Sequence, residues 1–164
     1  MIPRLATAIF LFFSCTAASA AVVRPNTNAD ENLASAQAFL AENHGRPGVQ
    51  QTASGLQYRV IQAGTGCHPS PDAPVQLQYE LRFAGDETLV DTSYGLDQPV
   101  TSNLKDMIPA WEEGIPLMEE GAIWEFFIPP ALGYGAEGSP PAIGPNVVLV
   151  FKVELIKAGK CSTT

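Results

Sequence analysis

Residues 75–83 read VQLQYELRF, a strict alternation of apolar and polar side chains. Successive side chains of a β-strand point to opposite faces of the sheet, so this period of two predicts a strand with one apolar face. That face contains Val75, Leu77, Tyr79, Leu81 and Phe83. The strand must bury it against another layer, and Tyr79 then carries a hydroxyl into the interior that needs a hydrogen-bond partner.

Four other segments are predicted to be strands, the first and the last of them with the same period of two. They are residues 56–60, TLVDTSY at 88–94, AIWEFFIP at 122–129 and the apolar run at 147–155. Between the second and third, MIPAWEEGIPLM places Ile108, Trp111 and Ile115 on one stripe of a short helix that Pro109 can start and Pro116 must end. About five strands with one short helix on their apolar face make an α+β fold.

The N-terminal residues 1–20 have the composition of a signal peptide. Arg4 precedes an apolar stretch too short to span a bilayer, and Ala18-Ser19-Ala20 forms an Ala-x-Ala cleavage pattern. We therefore expect an exported protein that begins at Ala21 and resides in the periplasm or is secreted. A second interpretation is that Cys15 accepts a lipid and anchors the chain to the outer membrane.

Residues 21–53 are predicted to be a flexible start followed by a short helical segment. The start, at residues 21–28, has no periodicity. DENLASAQAFLAEN at 30–43 then places Leu33, Ala36, Phe39 and Leu40 at helical spacing, with Asn28 or Asp30 available as the cap. A lone helix of this length is marginal in water, so it must dock on the main domain or on a partner, or fray.

Charge and cysteine content narrow the functional class further. The 164 residues carry a net charge of −8, and removal of Arg4 leaves eight Lys and Arg against seventeen Asp and Glu. Such an acidic surface is repelled by phosphate backbones, so nucleic acid is not expected as a partner. Cys67 and Cys161 remain after processing; they form either a disulfide in an oxidising compartment or two unpaired thiols.

The motifs of nucleophilic, metal-assisted and nucleotide-dependent catalysis are absent from the sequence. His44 and His68 both lie in predicted loops beside Gly or Pro, and neither has a companion at metal-ligand spacing. There is no G-x-S-x-G, P-loop or dinucleotide fingerprint. We therefore expect no metal and no cofactor, and any catalysis must do without a nucleophile.

Aromatic residues remain as the candidate site. By periodicity Tyr79, Trp111 and Phe151 point to the face that the helix covers, and Asp91 lies on the short neighbouring strand. Tyr134 is carried by IPPALGYGAEGSPPAIGPN at 128–146, where Gly and Pro supply nine of nineteen residues. An ordered loop of this kind can form the wall of a cleft. The alternative is that these aromatic side chains are ordinary core residues.

Four ordered motifs resemble the catalytic domain of FKBP-type peptidyl-prolyl isomerases, most closely the exported bacterial branch of macrophage infectivity potentiator proteins. They are SGLQYRVIQAGTG, VQLQYELRFAGDETLVDTSY, MIPAWEEGIPLMEEGAIWEFFIPPALGYG and IGPNVVLVFKVELI. The resemblance implies a five-stranded antiparallel half-barrel wrapped on one short helix, preceded by a short N-terminal helix. It implies an isomerase domain at residues 54–159, followed by a tail at 160–164.

The resemblance also assigns residues to a proline pocket. It implies a wall tyrosine at Tyr79, an acidic neighbour at Asp91, an indole floor at Trp111, a loop tyrosine at Tyr134 and a back wall at Phe151. Met107 and Ile108 resemble the pair whose backbone amide holds a ligand carbonyl. The remaining wall positions are Val90, Ala142 and Ile143.

Several wall positions depart from the family pattern. Val90 replaces the usual Phe, Val100 and Ser102 lie in a segment that is often rich in Phe, and Ala142 replaces a larger aliphatic residue. Ala110 takes a Gly position. The changes at Val90, in the Val100–Ser102 segment and at Ala142 all shrink the apolar wall, which puts the catalytic rate and macrolide affinity in question.

The implied function is cis-trans isomerisation of X-Pro bonds in exported proteins, without a covalent step. The alternative is a chaperone or peptide-binding module with weakened catalysis. Proline-containing polypeptides are the implied substrates, and macrolide inhibitors such as rapamycin or tacrolimus the implied ligands. The N-terminal helix is shorter than the dimerising arm of related proteins, so we expect a monomer.

Overall fold

The computed structural model of the chain describes residues 28–162. The predicted signal peptide at residues 1–20, with Cys15, lies outside the described residues, as do residues 21–27 of the predicted start and 163–164 of the predicted tail. Within residues 28–162, no helix is long and apolar enough to cross a membrane.

Helix α1, Ala29–His44, is capped by Asn28, whose side-chain oxygen accepts hydrogen bonds from the amides of Asp30 and Glu31. The predicted helix is therefore present, but its buried face differs from the expected one. Leu33 is 41% exposed, whereas the polar Asn32 and Asn43 are buried together with Ala36. Polar contacts to the rest of the chain, rather than the apolar stripe alone, determine which face of α1 is inward.

Seven antiparallel strands within residues 28–162 form one sheet. They are β1 (Val49–Gln51), β2 (Gln57–Gln62), β3 (Pro74–Phe83), β4 (Leu89–Thr92), β5 (Val100–Asn103), β6 (Ile123–Ile128) and β7 (Leu149–Lys157). The strand order is β1-β2-β6-β7-β3-β4, and β5 pairs with the first half of β3. The five predicted strands are all present, and β1 and β5 were not predicted. With three and four residues, these two are too short to show a clear alternation.

The apolar face of the sheet forms the core. Leu77, Leu81, Phe151 and Leu155 pack there together with Phe126, and the register pairs Leu77 with Leu155 and Leu81 with Phe151. The predicted α+β architecture is confirmed: one short helix, α2, Pro109–Gly114, lies on this face.

Helix α2 lies very close to the sheet because it ends in glycine. A Cβ on Gly114 would lie 2.7 Å from Phe126 Cε1 and 3.1 Å from Leu56 Cδ2. Pro109 occupies the start of α2, and its missing N–H is harmless there. The chain then continues as a 3₁₀ turn, Ile115–Leu117, which contains Pro116.

The end of the chain is attached to the loop after β2. Cys67 and Cys161 form a disulfide, with their Cα atoms 5.6 Å apart. Backbone hydrogen bonds join the same two segments on either side, from Ser70 N to the Lys160 carbonyl at 2.7 Å and from Ser162 N to the His68 carbonyl at 2.9 Å. The last strand is therefore held in place beyond its own ladder.

Candidate active site

Three aromatic rings meet between the sheet and α2. Trp111 packs edge-on against Phe151 on β7, with ring centroids 5.1 Å apart, and edge-on against Tyr79 on β3, at 5.5 Å. Tyr79 and Phe151 are themselves 5.8 Å apart. The period-two pattern of β3 and β7 points both rings inward, and the short helix supplies the indole. The structure thus brings the three predicted rings into mutual contact.

The hydroxyl of Tyr79 has a charged partner at this site. It donates a 2.6 Å hydrogen bond to Oδ2 of Asp91 on β4. Burial, followed by the hydrogen bond to Asp91, the charge of Asp91 and the nearby Tyr134, raises the pKa of Tyr79 to about 12. Tyr79 is therefore a neutral phenol at any physiological pH, and its hydroxyl proton is engaged in the hydrogen bond to Asp91.

The start of α2 provides a backbone donor beside the rings. Ile108 precedes the helix in an extended conformation, and its carbonyl accepts the amide of Trp111 at 2.9 Å. Its own N–H makes no hydrogen bond within residues 28–162. Ile108 and Met107 are both half-buried and pack against the core cluster. The amide of Ile108 can therefore bind a carbonyl from outside the chain.

The indole of Trp111 is almost completely enclosed. Its side chain is 2% exposed, and its Nε1 is buried without a hydrogen-bond partner in the described part of the chain. Because Tyr79 and Phe151 both present ring surface to it, the indole forms the deepest layer of the site.

Tyr134 is presented by a loop with its own hydrogen bonds. The Tyr134 carbonyl accepts the amide of Gly138 at 3.0 Å, and Ser139 and Ile143 exchange two backbone bonds at 2.9 Å. Gly138 has φ +68°, and a Cβ there would lie 2.5 Å from the carbonyl oxygen of Ile143, so glycine is required. Tyr134 is 39% exposed, and its hydroxyl has no hydrogen-bond partner within residues 28–162.

The remaining predicted wall residues occupy different depths. Val90 is half-buried and packs against the core cluster, and Ile143 is buried within that cluster. Ala142 is exposed on the loop beside Ile143. Val90 and Ile143 thus belong to the packed interior around the rings, whereas Ala142 lies at the surface.

The sequence did not single out the polar residues that fix the surroundings of the site. Asn146 has φ 53°, a left-handed conformation that Asn tolerates better than most residues. Its amide donates to the Gly135 carbonyl at 2.8 Å, next to Tyr134. The only available sign was an Asn directly after Gly144 and Pro145, which is ordinary turn composition. No group of three or more His, Cys, Asp or Glu side chains in residues 28–162 could hold a metal ion.

Comparison with known proteins agrees with this geometry. The family described as FKBP-type peptidyl-prolyl cis-trans isomerase matches residues 66–156, more than half of the chain. The chain belongs to the FKBP-type peptidyl-prolyl cis-trans isomerase family. A second match, at residues 12–60, is to the domain amino-terminal to FKBP-type peptidyl-prolyl isomerase.

Individual relatives place the chain more closely within the FKBP family. It is 46% identical over 129 residues to the peptidyl-prolyl cis-trans isomerase Mip of Coxiella burnetii, covering 79% of this chain and 56% of that protein. It is 42% identical over 139 residues to the probable FKBP-type isomerase FkpA of Neisseria meningitidis, covering 85% and 51%. The chain thus spans about half the length of the curated relatives it matches.

A solved peptidyl-prolyl isomerase structure matches over almost its whole length. The peptidyl-prolyl cis-trans isomerase of Pseudomonas syringae superposes with a TM-score of 0.74 at 32% identity, covering 80% of this chain and 96% of that one. FkpA of Escherichia coli superposes with the same score at 34% identity, covering 79% and 60%. The predicted family is therefore confirmed from both sequence and fold.

Proposed function

We propose that this FKBP-type chain catalyses cis-trans rotation about X-Pro bonds at the aromatic site formed by Trp111, Tyr79 and Phe151. One observation carries the proposal: Trp111 makes edge-on contacts with Tyr79 and Phe151, and the hydroxyl of the same Tyr79 is bound to Asp91. These rings can enclose a pyrrolidine without offering it a charge. Proline-containing polypeptides are the substrates that such a surface fits.

The chemistry requires desolvation and orientation. Rotation about the X-Pro bond breaks amide resonance against a barrier of about 18–20 kcal/mol, and no proton moves. A water-poor aromatic site favours the twisted, less polar amide if hydrogen bonds hold the substrate in that form. The Ile108 N–H and the Tyr134 hydroxyl, both without a partner within residues 28–162, are donors that can do so.

Asp91 and Tyr79 act together in this mechanism. Because the Tyr79 proton is held by Asp91, this phenol serves as a fixed wall, and the carboxylate orients the ring. Asp91 also accepts the Thr92 amide at 2.9 Å, so both its oxygens are engaged. Neither residue is required to act as an acid or base.

The setting of the activity follows from the chain's other features. The signal peptide predicted at residues 1–20 and the Cys67–Cys161 disulfide support an exported protein acting in the periplasm on other exported chains. We assign the catalytic unit to residues 54–159 and a monomeric state to the whole chain. Macrolides such as rapamycin or tacrolimus are the inhibitors that this pocket would bind.

The test is isomerisation of a proline-containing tetrapeptide by the purified chain, followed by NMR exchange and repeated with Trp111→Leu. Trp124→Leu is the matched control. Trp124 is also buried, but it stacks on Tyr58 at 4.6 Å, away from Tyr79 and Phe151. Each substitution removes a buried indole and lowers stability, and only Trp111→Leu should abolish catalysis. Equal losses in the two variants would contradict the proposed site.

A second candidate function is peptide binding with slow catalysis. Two observations favour it: Trp111 is 2% exposed, and Val90 leaves the wall smaller than a phenylalanine would. Both restrict how deeply a pyrrolidine can enter. A chain that suppresses aggregation of an unfolded substrate protein, but accelerates the tetrapeptide no more than Trp111→Leu does, would establish this second function.

A further inference from the structure

The first turn of α1 is joined to the loop at 128–146 by two reciprocal hydrogen bonds. Asn32 Nδ2 on α1 donates to the Pro145 carbonyl at 2.7 Å. In the opposite direction, Asn146 Nδ2 on the loop donates to the carbonyl of Ala29, the first residue of α1, at 3.0 Å. The partners are 113 and 117 residues apart in sequence, so these contacts are tertiary.

The same loop residues are connected to Tyr134 through the backbone. The amide of Asn146 donates to the Gly135 carbonyl at 2.8 Å, and the amide of Gly135 donates to the Pro130 carbonyl at 2.8 Å. Asn146 therefore binds α1 with its side chain and the residue after Tyr134 with its amide. Displacing α1 would pull on the segment that presents the Tyr134 ring.

The other end of α1 is fixed to the sheet. Asn43 Nδ2 donates to Gln57 Oε1 at 2.9 Å, and Gln57 Nε2 donates back to the Leu40 carbonyl at 2.9 Å. Asn43 and Gln57 are both buried, and Phe39 packs on Phe127 with ring centroids 6.2 Å apart. A helix of 16 residues, about 24 Å long, thus connects β2 and β6 to the loop.

We propose that Asn32 and Asn146 are positioning residues that clamp the Tyr134 loop to α1, so that α1 sets where the Tyr134 hydroxyl meets the substrate. The catalytic part of this inference rests on the proposed isomerase function. The clamp itself does not, because it is a property of the loop that can be measured without substrate.

The decisive variant is Asn32→Asp in the full chain. Aspartate has the same shape but no N–H to donate to Pro145, and a carboxylate in the first turn of a helix is stabilised by the helix dipole. The substitution therefore removes the donor to the Pro145 carbonyl and places its charge at the end of α1 that the helix dipole favours. Leu33→Asp is the matched control. Leu33 is exposed on the same turn, so the substitution adds the same charge but removes neither hydrogen bond between α1 and the loop.

Hydrogen exchange is the first measurement. Asn32→Asp should speed exchange of the Gly138 and Asn146 amides about five-fold or more, as expected for loss of one hydrogen bond, while Leu33→Asp leaves them unchanged. Asn146→Gly, which tolerates the positive φ and keeps the backbone amide, should release the Gly138 amide in the same way. Unchanged loop exchange in Asn32→Asp would overturn the clamp, whatever the activity.

Activity in a double-mutant cycle is the second measurement. Asn32→Asp should lower kcat/KM about five-fold in the parent and have no further effect in a Tyr134→Phe background, because the clamp acts through that hydroxyl. Additive losses would overturn the positioning role. An inactive parent whose loop amides are still released by Asn32→Asp would contradict the proposed isomerase function and support the clamp.

Discussion

The phenol of Tyr79 on β3 donates a 2.6 Å hydrogen bond to Oδ2 of Asp91 on β4. The ladder pairs Asp91 with Leu81, two residues beyond Tyr79, so the bond runs diagonally across two neighbouring strands. The second carboxylate oxygen accepts the Thr92 amide. Asp91 therefore cannot turn away without losing both bonds, and Tyr79 is held edge-on to Trp111.

Replacement of Tyr79 by phenylalanine should change how stability responds to alkali. The phenol titrates near 10 when unfolded, and its pKa is about 12 in the fold. The contribution of the protonated Tyr79 phenol to the free energy of unfolding is thus fully present below pH 10. It is lost as pH rises from about 10 to 12, because only the unfolded state then releases the proton. In Tyr79→Phe the free energy of unfolding should fall less steeply with pH, by the slope that corresponds to one proton, as measured by urea unfolding from pH 9 to 12.

Tyr94→Phe is the control for that experiment. The Tyr94 hydroxyl donates to Glu154 at 3.1 Å, and burial, followed by this hydrogen bond, raises the pKa of Tyr94 to about 12 as well. Both variants should show the same alkaline flattening, but only Tyr79→Phe should lower kcat/KM. A Tyr79→Phe protein that keeps the parent's alkaline slope would refute the assigned pKa.

Tyr134→Phe should separate activity from stability. Its hydroxyl is partly exposed and bonds to nothing in the described chain, so the free energy of unfolding should change by less than about 0.5 kcal/mol. Loss of one hydrogen bond to the substrate should lower kcat/KM by about five- to ten-fold. If kcat/KM stays at the parent value, the hydroxyl does not contact the substrate.

Long alternating segments made the sheet predictable. β3 and β7 each carry four or more inward apolar residues at a period of two, so no other arrangement buries them. The buried face of α1 was not predictable, because Asn32 and Asn43 are buried through bonds to Pro145 and Gln57. Sequence periodicity counts apolar side chains and does not reveal polar groups that find distant partners.

In the candidate site, too, the apolar contacts could be predicted from the sequence and a polar contact could not. Tyr79, Trp111 and Phe151 could be placed together because strand and helix periodicity directs all three to one layer. The bond between Tyr79 and Asp91 depends on the register of β3 and β4, which shifts between Leu81 and Arg82. Such an irregularity leaves no mark in a single sequence, so this pairing could not be predicted from it.

Val90→Phe tests whether the reduced wall limits catalysis. Val90 is half-buried against the core cluster, and a phenyl ring there would add about 40 Å² of apolar contact for a bound pyrrolidine, worth about 1 kcal/mol. We expect kcat/KM to rise about five-fold, measured by NMR exchange on the tetrapeptide. Val60→Phe on β2 is the control, since Val60 is exposed and remote from the three rings. An unchanged or lower rate in Val90→Phe would show that wall size is not limiting.

Removal of the disulfide should destabilise the chain while leaving its activity intact. The disulfide joins residues that are 94 positions apart in sequence. Its loss raises the conformational entropy of the unfolded chain and should lower the free energy of unfolding by about 4–5 kcal/mol. The folded tail retains its backbone bonds to Ser70 and His68, so the site above Trp111 should be unaffected below the unfolding transition. We therefore expect the same urea midpoint for Cys67→Ser, Cys161→Ser and the double variant. The parent should unfold at that lower midpoint only when dithiothreitol has reduced its disulfide. A reductant-dependent shift in the double variant, or a normal rate lost together with the bond, would contradict this account.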